Sequence, residues 1–227
     1  MHSAAESNNQ REALVEGGKI SSMNAPRFVV MSGIPASGKS TLAKGLGQKL
    51  DLEVIDKDAI LESLFDAQTG VHLADRDTLS READEIFRKQ VEKSVGAIVV
   101  SFWMRIEYST TSGTPTGWLS SLATTAAIVE LHCLCNPATA AKRFVERVRH
   151  IDHGDNLKNC ETIRRQFERL SSLGPLGLGQ TISVRTDREV DLEILVGQIR
   201  QAFEAMAASK ENSVANHANL QTPVDER

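Results

Sequence analysis

Cysteine, tyrosine and proline are scarce in this chain: among 227 residues there are 3 Cys, 1 Tyr and 6 Pro, and aromatic residues make up only 4%. Three cysteines are too few for a disulfide scaffold, and the odd count leaves one over. Cys133 and Cys135 fall two apart in a strand-like run, a spacing that suits small buried hydrophobes in a reducing compartment. No apolar run approaches the ~20 residues that a membrane helix needs. The polar opening MHSAAESNNQREALVEGG lacks the apolar core of a signal peptide. A basic excess is also missing: 26 Lys and Arg against 30 Asp and Glu give a formal charge of −4, which argues against a dedicated nucleic-acid binder. These absences lead to the expectation of a soluble, cytoplasmic protein with no membrane or nucleic-acid partner.

What remains is ordinary globular usage, 41% hydrophobic and 25% charged, in a length that suits one domain. Residues 1–25 are rich in Ser, Asn, Glu and Gly without periodicity and read as a mobile extension; 208–227 read as a similar tail. The folded domain is expected over 26–207.

Within it, apolar strands alternate with helical patterns. Strands are expected at Arg27–Ser32, Leu52–Ile55, Ala97–Phe102, Ile128–Cys135 and Thr181–Arg185. Between them, Lys39–Leu50 places Leu42, Leu46 and Leu50 on one face. Ser80 reads as the N-cap of a helix with Ala83, Ile86, Phe87, Val91 and Val95 as its buried stripe. Pro137 opens a helix expected to run to Arg149, and a last helix covers Leu192–Ala207. This alternation predicts an α/β three-layer α/β/α sandwich around a five-stranded, mostly parallel sheet.

The most informative segment is Gly33-Ile-Pro-Ala36-Ser37-Gly38-Lys39-Ser40-Thr41, which fits G-x-x-x-x-G-K-[ST] without mismatch between a strand and a helix. Glycines let the backbone wrap so that its N–H groups face phosphate oxygens, and the following helix adds its N-terminal dipole. Lys39 brings a cation to the β- and γ-phosphates, and the Ser40 hydroxyl can ligate Mg²⁺. A nucleoside-triphosphate site follows, with ATP and Mg²⁺ as cofactors. No guanine-reading N-K-x-D occurs, so ATP is favoured over GTP. The third strand ends Ala97-Ile-Val-Val-Ser101, with serine where motor ATPases carry a carboxylate, which argues against hydrolysis-driven motion.

Three further places carry chemistry. Val54-Ile-Asp56-Lys57-Asp58 closes the second strand, where a carboxylate would stand beside the γ-phosphate and deprotonate an alcohol. Asp58 heads the next helix, two residues after Asp56. Arg143 and Arg147, four apart on one helix, share a face. Phe102-Trp103-Met104-Arg105 follows the third strand and would suit stacking and anion binding on the acceptor side.

With its compact size, this layout resembles the small P-loop kinases over about residues 27–205, in particular the group of chloramphenicol 3-O-phosphotransferase, polynucleotide 5′-kinase and zeta-toxin-type kinases. The resemblance implies that Asp58 faces the acceptor hydroxyl as its general base, with Asp56 as backup or as a ligand to metal-bound water, and that Arg143 and Arg147 form the R-x-x-x-R of a lid spanning about 137–155. It also implies that Ser183-Val-Arg185-Thr186 is the strand end that contacts adenine, so Arg185 is counted with the nucleotide site. Those kinases commonly carry an acid where this chain has Ser101, and Mg²⁺ is then expected on Ser40, ATP and waters with help from Asp56 or Asp58. The function implied is transfer of the γ-phosphate of ATP to a small hydroxylated acceptor, by resemblance an antibiotic or other specialised metabolite. A polynucleotide 5′-kinase and an ATP-binding switch or toxin-type module with little turnover are the alternatives.

Overall fold

The structure, a computed structural model, describes residues 25–67, 76–104, 113–147 and 159–219. The expected N-terminal extension, Arg105, the last part of the lid and the end of the C-terminal tail lie outside the described residues. Five strands, β1 (Arg27–Ser32), β2 (Glu53–Asp56), β3 (Gly96–Val100), β4 (Ala127–Leu134) and β5 (Gln180–Arg185), form one sheet in the order β2-β3-β1-β4-β5. All four pairings are parallel. The helices are α1 (Lys39–Leu50), α2 (Lys57–Ala67), α3 (Arg76–Lys93), α4 (Gly117–Thr125), α5 (Pro137–Glu146), α6 (Cys160–Ser171) and α7 (Leu192–Asn219).

Strand alternation sends successive side chains of β1 to opposite layers. Val29 and Met31 join Leu42 and Leu46 of α1 and Ile199 and Phe203 of α7 on one face. Phe28 and Val30 meet Phe87 and Val91 of α3, Trp103 and Leu119 on the other. Each such buried side chain contributes about 1.5–3 kcal/mol on leaving water, so the sheet is held from both sides. A separate cluster of Ala140, Phe144, Ile163 and Phe167 joins α5 to α6 above the strand ends, with Phe144 and Phe167 edge-to-face at 5.6 Å. The two helices start on matching caps: Asn136 and Asn159 each accept two backbone N–H groups of the following turn.

Several expected boundaries move. The helix α3 begins at Arg76, so Ser80 lies inside it and is not its N-cap; the helix ends at Lys93, and Val95 is 87% exposed rather than part of the buried stripe. The last helix runs to Asn219 instead of stopping at Ala207. No Pro or Gly interrupts the chain between Gly197 and Asn219, and its Ala-rich middle favours continued helix. No helix among the described residues is long and apolar enough to cross a membrane.

Glu130, fully buried in β4, is a structural anchor that hydropathy patterns do not announce. Its carboxylate accepts the Ser32 hydroxyl at 2.5 Å and the backbone N–H groups of Leu176, Gly177 and Leu178 at 2.6, 2.9 and 3.2 Å. It thereby ties the turn after α6 to the end of β1, where the phosphate loop begins, and His132 Nδ1 extends the network to Ser32 at 2.8 Å. Replacing Glu130 by Ala strands three backbone donors in the interior and is expected to cost about 3–5 kcal/mol, read as a lower urea midpoint at unchanged m-value. Glu130→Gln, which keeps an acceptor, should lose less; an unmoved midpoint in the Ala variant would remove the anchoring role.

Candidate active site

The parallel sheet brings the C-terminal ends of all strands to one edge, and the segment after β1 wraps there as Gly33–Gly38 before entering α1. Gly33 has φ 125°, and a Cβ on it would stand 2.5 Å from the Cys133 carbonyl oxygen, so only glycine lets the loop turn this close to β4. Gly38 and Ala36 also take positive φ, 89° and 56°. For alanine that conformation costs about 1–2 kcal/mol, a strain held in place by the surrounding loop.

Ala36, Gly38, Lys39, Ser40 and Thr41 line a cleft of about 1320 Å³. Gly33 and Ser37 do not. Gly33 shapes the loop from behind, and Ser37 is fully buried beneath it, its N–H donating to the Ile34 carbonyl at 3.3 Å. Lys39 donates to the carbonyl oxygens of Gly33 and Ile34 at 3.0 and 2.8 Å. Burial pulls the ammonium below the usual lysine range, and Arg147 adds to that, while Asp58 and Asp56 push it back up. Cys133 beside it is a neutral thiol, since burial pushes it up to about 12.

Across the cleft, Asp56 ends β2 and Asp58 lies in the first turn of α2. Asp56 caps that helix: its Oδ1 accepts the Asp58 N–H at 3.0 Å. Burial raises the Asp56 carboxyl above the usual range, Asp58 raises it further, and a hydrogen bond from the Ser40 hydroxyl partly opposes both. A serine hydroxyl beside a half-buried carboxylate is an all-oxygen donor pair of the kind hard cations take, so these residues fit Mg²⁺.

The two lid arginines both line the cleft, although not by the shared helical face that their spacing suggests. The helix α5 stops at Glu146, and Arg147 leaves it in an extended conformation with ψ 134°. Its guanidinium packs over the Phe144 ring, 4.2 Å from the centroid. Arg143 donates to the Thr186 carbonyl oxygen at 3.1 Å, joining the lid to the segment after β5. Thr186 and Arg188 reach the cleft there; Arg185 does not. Its guanidinium pairs with Asp187 at 2.7 Å and lines a smaller neighbouring cavity of about 320 Å³, outside the cleft that holds the phosphate loop.

Trp103 is likewise corrected from an acceptor platform to a core residue. It is 3% exposed, its indole N–H donates to the Met31 carbonyl at 2.8 Å, and its ring packs against Phe87 and Trp118 at 5.9 and 6.3 Å. Arg105, the other residue expected there, lies outside the described residues.

The wall of the cleft formed by α2 and α3 holds a network that spacing alone did not reveal. Lys57, buried between the two aspartates in sequence, donates to Ser80 Oγ at 2.8 Å and pairs with Asp84 at 3.3 Å. Thr114 donates to Asp84 at 2.7 Å and lies 2.5 Å from the Ser101 hydroxyl. A carboxylate absent from the end of β3 thus arrives from α3 and is reached from Ser101 through one threonine. The available signal was Ser80 and Asp84, four apart beside the apolar stripe of α3.

A glycine-rich strand–loop–helix with its lysine and serine, carboxylates at the neighbouring strand end and arginines above them on a five-stranded parallel sheet make up the P-loop fold of the small kinases. A family profile described as an AAA domain matches residues 28–170, and the chain belongs to that family. It is 29% identical to a shikimate kinase of Azobacteroides pseudotrichonymphae genomovar. CFP2 over 89 residues, 39% of this chain and 48% of that protein, so the match spans about half of the relative's length. A candidate kinase from Chloroflexus aurantiacus j-10-fl superposes with a TM-score of 0.64 at 21% identity, covering 81% of this chain and 98% of the other. The shikimate kinase of Bacteroides thetaiotaomicron gives 0.47 at 19% identity, covering 82% and 98%. At such identities the likeness to solved structures is one of fold.

The raised Asp56 carboxyl has a measurable consequence. A group whose pKa is higher folded than unfolded adds stability at low pH and loses that contribution as pH rises through its folded value. At neutral pH the buried charge therefore burdens the nucleotide-free protein. Asp56→Asn keeps the cap and removes the charge. It should raise the Tm of the nucleotide-free protein at pH 7.5 and weaken the Mg²⁺ dependence of nucleotide binding. A lower Tm at pH 7.5 would contradict this reading.

Proposed function

We propose that the protein is an ATP-dependent phosphotransferase that moves the γ-phosphate of ATP to a hydroxyl of a small molecule. The observation that carries this is the placement of Asp56 and Asp58 in one cleft with Lys39 and with both lid arginines. The loop amides and Lys39 hold the β- and γ-phosphates, and Arg143 and Arg147 approach the transferring group from the lid. Asp58 takes the proton of the acceptor hydroxyl. The acceptor oxygen forms the new O–P bond as the bond from the γ-phosphorus to the β,γ-bridging oxygen breaks, and ADP leaves with that electron pair. Ser40 and Asp56 would hold Mg²⁺, which when bound neutralises charge on the β- and γ-phosphate oxygens.

A small acceptor is supported by the character of the relatives and by the formal charge of −4, which disfavours a polynucleotide. An antibiotic or other specialised metabolite remains the finer reading. The alternative of an ATP-binding module without turnover rests on Ser101. Its link through Thr114 to Asp84 weakens that alternative, because a carboxylate stands close by.

³¹P NMR of protein, Mg²⁺ and ATP with pooled antibiotics, sugars and nucleosides tests the proposal. Wild type should yield a new phosphomonoester signal. Asp58→Ala should slow its appearance by about 10²–10⁴-fold, as loss of a general base does, while retaining ATP. Lys39→Ala should lose both signal and tight ATP binding. A signal that survives unchanged in Asp58→Ala would keep the kinase and dismiss its base.

A further inference from the structure

The smaller cavity, of about 320 Å³, adjoins the nucleotide cleft, and the phosphate loop runs between the two. Gly33 and Ile34 line the smaller space, Pro35 and Ala36 the larger. Phe102, half-buried just beyond β3, lines both and is the one residue they share among the described residues. The two spaces therefore meet at its ring.

The polar side chains of the smaller cavity are already engaged by the protein. Ser32 donates to Glu130 at 2.5 Å and lies 2.8 Å from His132 Nδ1. Ser171 donates to the Glu168 carbonyl at 3.0 Å, and Arg185 is held by Asp187. Burial keeps Cys133 and Cys135 neutral, and such thiols behave as small hydrophobes. What the space still offers is apolar surface, from Ile34, Phe102, Leu170, Leu173 and Leu176. A polar ligand gains little from groups already bonded, whereas an apolar group gains by leaving water. An apolar cavity of about 150 Å³ holds benzene, so this one has room for a substituted ring or two fused rings.

Building on the phosphotransferase reading, we propose that this cavity is a specificity pocket for the acceptor. The acceptor is a hydroxylated molecule with an apolar, ring-sized group, which passes Phe102 and lodges against Ile34 while the hydroxyl stays in the cleft with Asp58 and Lys39. Strand order sets the length such a molecule needs. Asp58 follows β2, and Ser32 and His132 of the cavity belong to β1 and β4, two and three strands away. At about 4.8 Å per strand the span is about 10–14 Å. A ring on a short linker covers it, and a triose does not. Simple polyols fill only the cleft and are the poorer acceptors.

The test uses the full chain loaded with Mg²⁺ and a non-hydrolysable ATP analogue, which keeps probes out of the nucleotide half of the cleft. The probes share one diol head: glycerol and its monomethyl, monobutyl, monophenyl and mononaphthyl ethers. Binding is measured calorimetrically, and phosphoryl transfer is followed in parallel with ATP. Affinity should climb about fourfold per methylene buried, so the phenyl ether should bind at least about tenfold more tightly than the methyl ether. Leu173 belongs to none of the packed clusters, so replacing it spares the core. Leu173→Trp fills the cavity and should flatten the series. Leu173→Ala enlarges it, should weaken the phenyl ether and shifts the best probe toward naphthyl; it serves as the test if the Trp variant does not fold. Val95→Trp adds the same ring at an 87% exposed position before β3, at the opposite end of the sheet, and should leave the series intact.

A flat series in the wild type, or a gradient that both Leu173 variants leave unchanged, overturns the proposal. A gradient that responds to Leu173 without phosphoryl transfer upholds the apolar pocket and refutes the kinase reading. Transfer to glycerol and its ethers alike, with no gradient in binding, does the reverse.

Discussion

The ammonium of Lys39 and the loop around it depend on one another. The Gly33 and Ile34 carbonyls that hold it are oriented by a turn that only glycine can make against β4. In return the cation satisfies two oxygens that would otherwise line an empty anion cradle. Burial makes the charge costly, and Asp56 and Asp58 across the cleft compensate in part. Nucleotide phosphates would complete the compensation, so the nucleotide-free loop is a preorganised but electrostatically unfinished site.

Two buried polar networks keep that site in shape from opposite sides. Behind the loop, Glu130 gathers Ser32 and the turn after α6, so the strand that feeds the loop and the helix that supports the lid share one carboxylate. On the opposite wall of the cleft, Lys57, Asp84, Thr114 and Ser101 join the start of α2, the middle of α3 and the end of β3. Each network is closed by several hydrogen bonds, the condition under which buried polar groups rigidify a fold rather than weaken it. Asp58 follows Lys57 directly, and its backbone N–H is held by the Asp56 carboxylate at 3.0 Å.

The lid works by a different principle. Phe144 and Phe167 cluster with Ile34 of the phosphate loop and Cys135, and polar ties to the segment after β5 come from Arg143 to Thr186 and from the Asn136 N–H to Asp187. That cluster packs α5 and α6 directly onto the phosphate loop. Arg147, released from the helix and stacked on Phe144, carries its charge at the point where α5 gives way to the segment leading to α6.

Local chemistry in the chain was enough to specify much of this. Strand–helix alternation sets the layers, and the nine residues from Gly33 to Thr41 announce the phosphate cradle because every feature of it is a backbone requirement written in Gly, Lys and Ser. Asp56, Asp58, Arg143 and Arg147 were legible as the groups around it, being fixed by proximity to strand or helix ends. Sequence did not reveal which side chains turn inward from distant elements. Trp103 reads as a surface aromatic until β1 offers its Met31 carbonyl, and Arg185 reads as a nucleotide contact until Asp187 folds back on it. Asp84 becomes a cleft carboxylate only when α3 packs beside α2. Motifs confined to one turn are determined by short-range geometry; partnerships between elements tens of residues apart depend on packing, and only the tertiary structure decides them.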